Sequence, residues 1–259
     1  MITYFGKNIY KIFEFNFVDL DYTEIISIID EVIKKNDKLR IFNVNASIIL
    51  KALSSPSLLN NFKKQKIVFM DGIGVFIALK CLFGFGTIKH RVTGTDLYYK
   101  LMEYADIHKL RVFFIGGCEE AASKVESVLE TKFPNIGFCG VLDRNNYEKN
   151  DYKEILKQKK PHLLFVGLGT PKQEDFICNT LDDLDIPIQL AVGSGIEFLA
   201  DHIKRAPKIF RIFGIEWLFR LFKEPQRLWR RYIIGIPQFT YLIFKTYISN
   251  KFKFSGEGK

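Results

Sequence analysis

The sequence predicts an α/β protein, a mostly parallel sheet with helices on both faces, followed by a helical, basic and aromatic-rich appendage. Three observations predict it. Short apolar, β-branched runs alternate with amphipathic stretches through most of the 259 residues, the rhythm of βαβ units. Glycines and polar residues collect directly after the apolar runs. The charge is segregated: from Ile203 to Lys259 there are thirteen Lys/Arg against three acids, so the other 202 residues net to −1. These divisions give an α/β core over residues 1–202 and an appendage over 203–259.

In chain order, the expected strands are Leu39–Asn43, Ile67–Met70, Arg111–Ile115, Ile136–Gly140, Leu163–Val166 and Ile188–Val192. The amphipathic stretches between and before them are Asp21–Asn36, Ala46–Lys63, Thr95–His108, Glu119–Lys132, Tyr147–Lys157 and Lys172–Leu184. In open α/β sheets, ligands bind beyond the carboxyl ends of the strands. Here those ends read Asn43-Val-Asn45, Asp71-Gly-Ile-Gly74, Gly116-Gly117, Gly167-Leu-Gly169 and Gly193-Ser-Gly195. Glycine-rich turns with a few polar side chains fit an anionic ligand, because backbone N–H groups can approach it.

The appendage has a different texture. Arg227, Arg230 and Arg231 fall at i, i+3 and i+4 and are expected on one helical face. Tyr232–Ile248 is apolar but interrupted by Pro237, Gln238 and Lys245, too short and broken to cross a bilayer. Aromatic anchors beside cations fit a helix lying in an anionic membrane surface. The four cysteines (Cys81, Cys118, Cys139, Cys178) show no CxxC spacing, and the N-terminal MITYFGKNIYKIFEF lacks the apolar stretch of a signal peptide. A cytoplasmic protein without disulfides, resident metal or cofactor is expected.

Taken singly, each polar residue has a plain structural alternative. A carboxylate at a strand end, such as Asp71, can be a general base, a ribose ligand or the N-cap of the next helix. Asn43 and Asn45 can be turn formers, and Arg91 a surface cation beside a helix cap. The isolated histidines show no metal-ligand spacing.

The order of the motifs is more specific. DGIGV (Asp71–Val75), RVTGTDL (Arg91–Leu97), FVGLGTPKQEDFI (Phe165–Ile177) and KRAPKIFRIFGIEWLFRLFKEPQRLWRRY (Lys204–Tyr232) together resemble the WecG/TagA/CpsF family of bacterial glycosyltransferases, over about Leu39 to Tyr232. The resemblance implies a Rossmann-like core whose C-terminal appendage docks on the membrane and completes the active site. It implies inverting, metal-independent transfer from a UDP-sugar, typically UDP-N-acetylmannosamine or its uronic acid. The implied acceptor is a polyprenyl-diphosphate-linked sugar of teichoic-acid or cell-surface polysaccharide synthesis.

Carried over residue by residue, Asp71 is the base, with Asn43, Asn45 and Gln173 positioning the sugars. Arg91, Arg220, Arg227 and Arg230 hold the diphosphates, and Glu197 contacts substrate. Inverting transfer needs one base on the attacking hydroxyl, and without a DxD-like motif arginines must meet the departing charge. The chain departs from the family pattern at four places. Asn43 stands for a threonine, His90 for the glutamate of E-R-x-x-G, Glu197 for an aspartate, and Arg144-Asn145-Asn146 for G-Y-F. Expected partners are the donor, the lipid-linked acceptor and an anionic membrane surface on the inner face of the cell membrane, without nucleic acid; a homo-oligomer is left open. The alternatives are a nucleotide-binding oxidoreductase using the strand-end glycines, and a binding module using the cationic tail on nucleic acid.

Overall fold

The computed structural model describes residues 9–65 and 68–256, so Ile67 of the second expected strand and the two ends of the chain lie outside the described residues. Two sheets form. One has β1 (Ile9–Ile12), β2 (Phe15–Val18), β5 (Val68–Met70) and β4 (Asn43–Val44) in the order β1-β2-β5-β4, all parallel except the β1–β2 hairpin. The other has β3 (Leu39–Ile41), β9 (Ile188–Ala191), β8 (Leu163–Gly167), β6 (Arg111–Gly116) and β7 (Gly137–Leu142), in the order β3-β9-β8-β6-β7 and parallel throughout. The expected single strand Leu39–Asn43 is in fact shared. Its first half pairs with β9, and beyond Phe42 it pairs with β5, stitching the sheets together.

Alternation on the strands sorts side chains into two cores. Phe113, Ile115, Leu164 and Val166 face one way, into a core with α2 (Ala46–Leu53), α3 (Pro56–Lys63), α4 (Ile73–Phe83) and α9 (Lys172–Asn179). Val112, Phe114, Leu163 and Phe165 face the other way, against α1 (Tyr22–Lys34), α5 (Gly94–Ile107) and α7 (Val125–Lys132). Strands buried on both faces read as continuous apolar runs, which is why these were visible in sequence.

Helix ends follow local chemistry. Asp21 closes α1 with a capping box, its Oδ1 accepting from the backbone of Thr23 and Glu24 while Glu24 accepts from the Asp21 N–H. The expected long helix over Ala46–Lys63 breaks at Ser54–Ser55, because Pro56 cannot continue a helix but suits its first position, with Ser55 capping Leu58. Between α5 and β8 lie β6, α6 (Glu119–Ala122), α7, β7 and α8 (Tyr152–Lys159).

After β9 come α10 (Gly195–Leu199), α11 (Lys208–Ile212), α12 (Glu216–Lys223), α13 (Pro225–Trp229) and α14 (Gly235–Gly256). This last segment folds back on α2 and α4 and buries Leu228 and Phe239. A π-helical turn, Arg230–Ile234, joins α13 to α14. Pro237 supplies its reason: it has no N–H for the carbonyl four residues back, and its ring crowds that carbonyl. A wider turn relieves both problems and shifts the helical phase. Among the described residues no helix is long and apolar enough to cross a membrane.

Candidate active site

A cleft of about 990 Å³ opens at the carboxyl ends of β4, β5, β8 and β9, roofed by the C-terminal segment. Eight of the nine residues singled out in the sequence line it: Asn43, Asn45, Asp71, Arg91, Gln173, Glu197, Arg220 and Arg227. Arg230 does not.

Asp71 follows β5 and is half-buried. It is not the cap of α4; Gly72 takes that position, without a side-chain hydrogen bond. Instead Asp71 Oδ1 accepts from the N–H of Gly94, in the first turn of α5, at 3.1 Å. Its other oxygen has no partner among the described residues. Gly94 lies against Asn43: a Cβ there would sit 3.0 Å from that side chain, so the two elements meet as closely as a glycine allows. Asn43 Oδ1 is buried without a hydrogen bond. Asn45 caps α2, accepting from Ile48 N–H at 3.2 Å, which leaves its amide nitrogen for the cleft.

Gln173 is a bridge at the cleft wall. Its Oε1 accepts from Gly193 N–H at 3.1 Å, and its Nε2 donates to Glu174 Oε1 at 2.9 Å. Glu174 also accepts from Thr170 Oγ1 at 3.0 Å. Burial pushes the Glu174 carboxyl above its ordinary value, outweighing these hydrogen bonds.

The cations come from several elements. Arg91 Nη2 donates to the carbonyl of Arg211 at 2.9 Å, and Gly214 packs against its guanidinium, where a Cβ would be 2.6 Å from Nη1. Gly214 also has φ +72°, a conformation that glycine adopts freely. Arg220 lies over the Phe198 ring, 4.8 Å from its centroid, and Arg227 pairs with Glu224 at 2.5 Å. The next two arginines, both in the π turn, have different surroundings. Arg231 lines the cleft, whereas Arg230 is exposed and stacks over the Trp229 ring at 5.3 Å.

Two sequence departures meet in space. Arg144, after β7, donates from Nη2 to Oε1 of Glu197 and from Nε to the carbonyl of Gly117 at 3.1 Å. Glu197 is buried, and its Oε2 has no hydrogen bond. Fifty-three residues separate the pair, so no local pattern announces it.

A second ion-pair group ties the C-terminal segment to the core. Arg205 bonds Asp96 Oδ1 at 2.6 Å and lies 3.4 Å from Glu216 of α12. Burial opposes ionisation of Asp96, but hydrogen bonds from Thr93 and Arg205 prevail and hold its carboxyl below the usual range. Among the described residues no group of three His, Cys, Asp or Glu converges as a metal-ion cluster.

An α/β sheet with a strand-end cleft, a strand-end carboxylate and a roof of arginines is an arrangement that can bind an anion and move a proton beside it. Comparison with known proteins ties the arrangement to sugar transfer. The Glycosyl transferase WecG/TagA/CpsF family matches residues 10–253, and the chain belongs to that family. It is therefore a glycosyltransferase, which displaces the oxidoreductase alternative. Among its relatives is an N-acetylglucosaminyldiphosphoundecaprenol N-acetyl-beta-D-mannosaminyltransferase of Bacillus spizizenii, 28% identical over 90% of this chain and 89% of the relative. A protein of the same name from Staphylococcus aureus (strain MW2) is 28% identical over 88% of this chain and 90% of its own length.

Proposed function

We propose that this enzyme transfers N-acetylmannosamine, or a closely related sugar, from its UDP conjugate to a polyprenyl-diphosphate-linked N-acetylglucosamine, with inversion at the anomeric carbon and without a metal ion. The names of the relatives support the sugar and the acceptor. The observation that carries the chemistry is Asp71. One oxygen is anchored by Gly94, and the other is free in a cleft that Arg91, Arg220 and Arg227 also line.

In this mechanism the acceptor hydroxyl attacks the anomeric carbon from the face opposite the nucleotide. Asp71 takes the hydroxyl proton as the new C–O bond forms. The bond to the β-phosphate oxygen breaks, and its electron pair leaves with UDP. Arginines meet that charge through planar, multidentate hydrogen bonds, the geometry that suits phosphate oxygens. Asn43 and Asn45 orient sugar hydroxyls. The basic C-terminal segment rests on the inner, anionic leaflet, where the lipid-linked acceptor resides.

The test is transfer from UDP-N-acetylmannosamine to a soluble diphosphate-linked N-acetylglucosamine. Asp71→Asn should lower kcat by about 10²–10⁴ and leave KM little changed, and EDTA should have no effect. Full activity of Asp71→Asn at saturating substrates would remove the base assignment, and strict dependence on Mg²⁺ or Mn²⁺ would remove the metal-free mechanism.

A further inference from the structure

The cleft has a second, apolar arm that the sugar chemistry does not use. Ile77, Ala78 and Cys81 on α4 and Ile236, Phe239 and Ile243 on α14 line it. Positions 77, 78 and 81 form one stripe of α4, and 236, 239 and 243 one stripe of α14. The two helices pack against each other. The floor is closed, since Ala78 and Phe239 are each 5% exposed, but the walls are open: Ile77 is 49% exposed and Ile236 38%. From Ile73 to Leu79 and from Gly235 to Phe244 neither helix carries a charge; Lys80 and Lys245 follow immediately.

Exposed apolar walls over a closed apolar floor, continuous with a catalytic cleft, call for an apolar occupant whose polar end lies in that cleft. Lys51, Arg227 and Arg231 line the same cavity and supply it with positive charge. From Ile73 to Cys81 the α4 wall runs about 12 Å at 1.5 Å per residue. Phe83 and Phe85, after the α4 stripe, and Tyr241 and Phe244, on α14, are also exposed.

We propose that the groove between α4 and α14 is a subsite for the first isoprene units of the lipid-linked acceptor. Its diphosphate meets the cations of the cavity and its sugar hydroxyl reaches Asp71. The proposal rests on the lipid-linked acceptor of the preceding section and adds that the protein itself grips the chain, beyond merely lying on the membrane that contains it.

The experiment compares two water-soluble acceptors with the same diphosphate-N-acetylglucosamine head, one carrying a farnesyl chain and one a methyl group. Both are used as monomers without detergent or vesicles, so that partition into an interface plays no part. The native enzyme should favour the farnesyl acceptor by at least tenfold in kcat/KM, mainly through KM. Ile77→Asn and Ile236→Asn change exposed walls and so spare the fold. Each should lower kcat/KM for the farnesyl acceptor at least fivefold more than for the methyl acceptor. Equal use of the two acceptors by the native enzyme would overturn the subsite while leaving the acceptor class standing. So would variants that depress both acceptors alike. No transfer to either acceptor, from any UDP-hexosamine, would instead sink the acceptor reading and the subsite with it.

Discussion

Replacing Gly214 with alanine tests whether the C-terminal segment sets the position of a catalytic-cleft arginine. The added Cβ meets three constraints. A residue other than glycine pays about 1–2 kcal/mol for the left-handed backbone that Gly214 holds at φ +72°. The Cβ would be 3.0 Å from Ile73 Cβ, at the start of α4, where little can give. It would also be 2.6 Å from Arg91 Nη1, so the guanidinium must retreat by roughly an ångström to reach ordinary contact. That retreat breaks or lengthens the bond from Nη2 to the Arg211 carbonyl. A misplacement of that size in a positioning group costs about 10²-fold in rate, equivalent to about 2.7 kcal/mol of barrier. Gly214→Ala should therefore lower kcat/KM by about two orders of magnitude and the melting temperature by roughly 2–8 °C. The path through Arg91 is checked by a double-mutant cycle: on an Arg91→Ala background, Gly214→Ala should reduce transfer by little more. Additive losses in that cycle, or native kinetics in the single variant, would refute the reasoning.

Other outcomes follow from the same geometry. Arg231→Ala should reduce transfer at least tenfold, the order expected on losing one charge-assisted contact to phosphate. Arg230→Ala, which removes a stack on Trp229, should fall within about threefold of native, since surface changes cost little; steady-state kinetics on both variants would expose the reverse order. For Glu174, the folded pKa is raised, so its contribution to stability is fully present below the unfolded value and is lost as pH rises through the folded one. Glu174→Gln keeps an acceptor for Gln173 and Thr170 without the buried charge, so it should melt higher than native at pH 8, with the gain shrinking towards pH 4. Asp96 behaves oppositely: its pKa is depressed, so its stabilisation is present above the unfolded value and is lost as pH falls through the folded one. Arg205→Ala should cost about 1–2 kcal/mol at pH 7, and denaturant titrations should show the difference fading in acid.

Much of this was legible in the sequence, because strands buried on both sides and glycine-rich strand ends leave strong local patterns. The β1–β2 hairpin was not. Its turn is made by Phe13 and Glu14, both at positive φ (47° and 71°), where such turns ordinarily announce themselves with Asn-Gly or Asp-Gly. Helix α4 shows no helical period in sequence because IGVFIALKCLF is apolar almost all round. Its second apolar face looks into the cleft. Motif order brought Asn43, Asp71, Arg91, Gln173, Arg220 and Arg227 to one cavity, and the same motifs pointed to Arg230, which does not line it. Arg231, four residues on from Arg227 and so on the same helical face, lines the cleft instead.

The ion pair of Arg144 and Glu197 has a consequence for how this enzyme and its relatives diverge. Glu197 is buried while the Arg144 side chain is 46% exposed, so losing Arg144 leaves the Glu197 carboxylate without its partner, at a cost of about 1–3 kcal/mol, a sizeable share of a typical domain's stability. Replacing both together is far less damaging. The two positions are thus bound as a historical unit: a lineage crosses from this arrangement to another through a double change, or through a weakened intermediate rescued elsewhere. Among homologues, the identities of residues 144 and 197 should vary in concert, although one follows β7 and the other lies in α10, far apart in the chain.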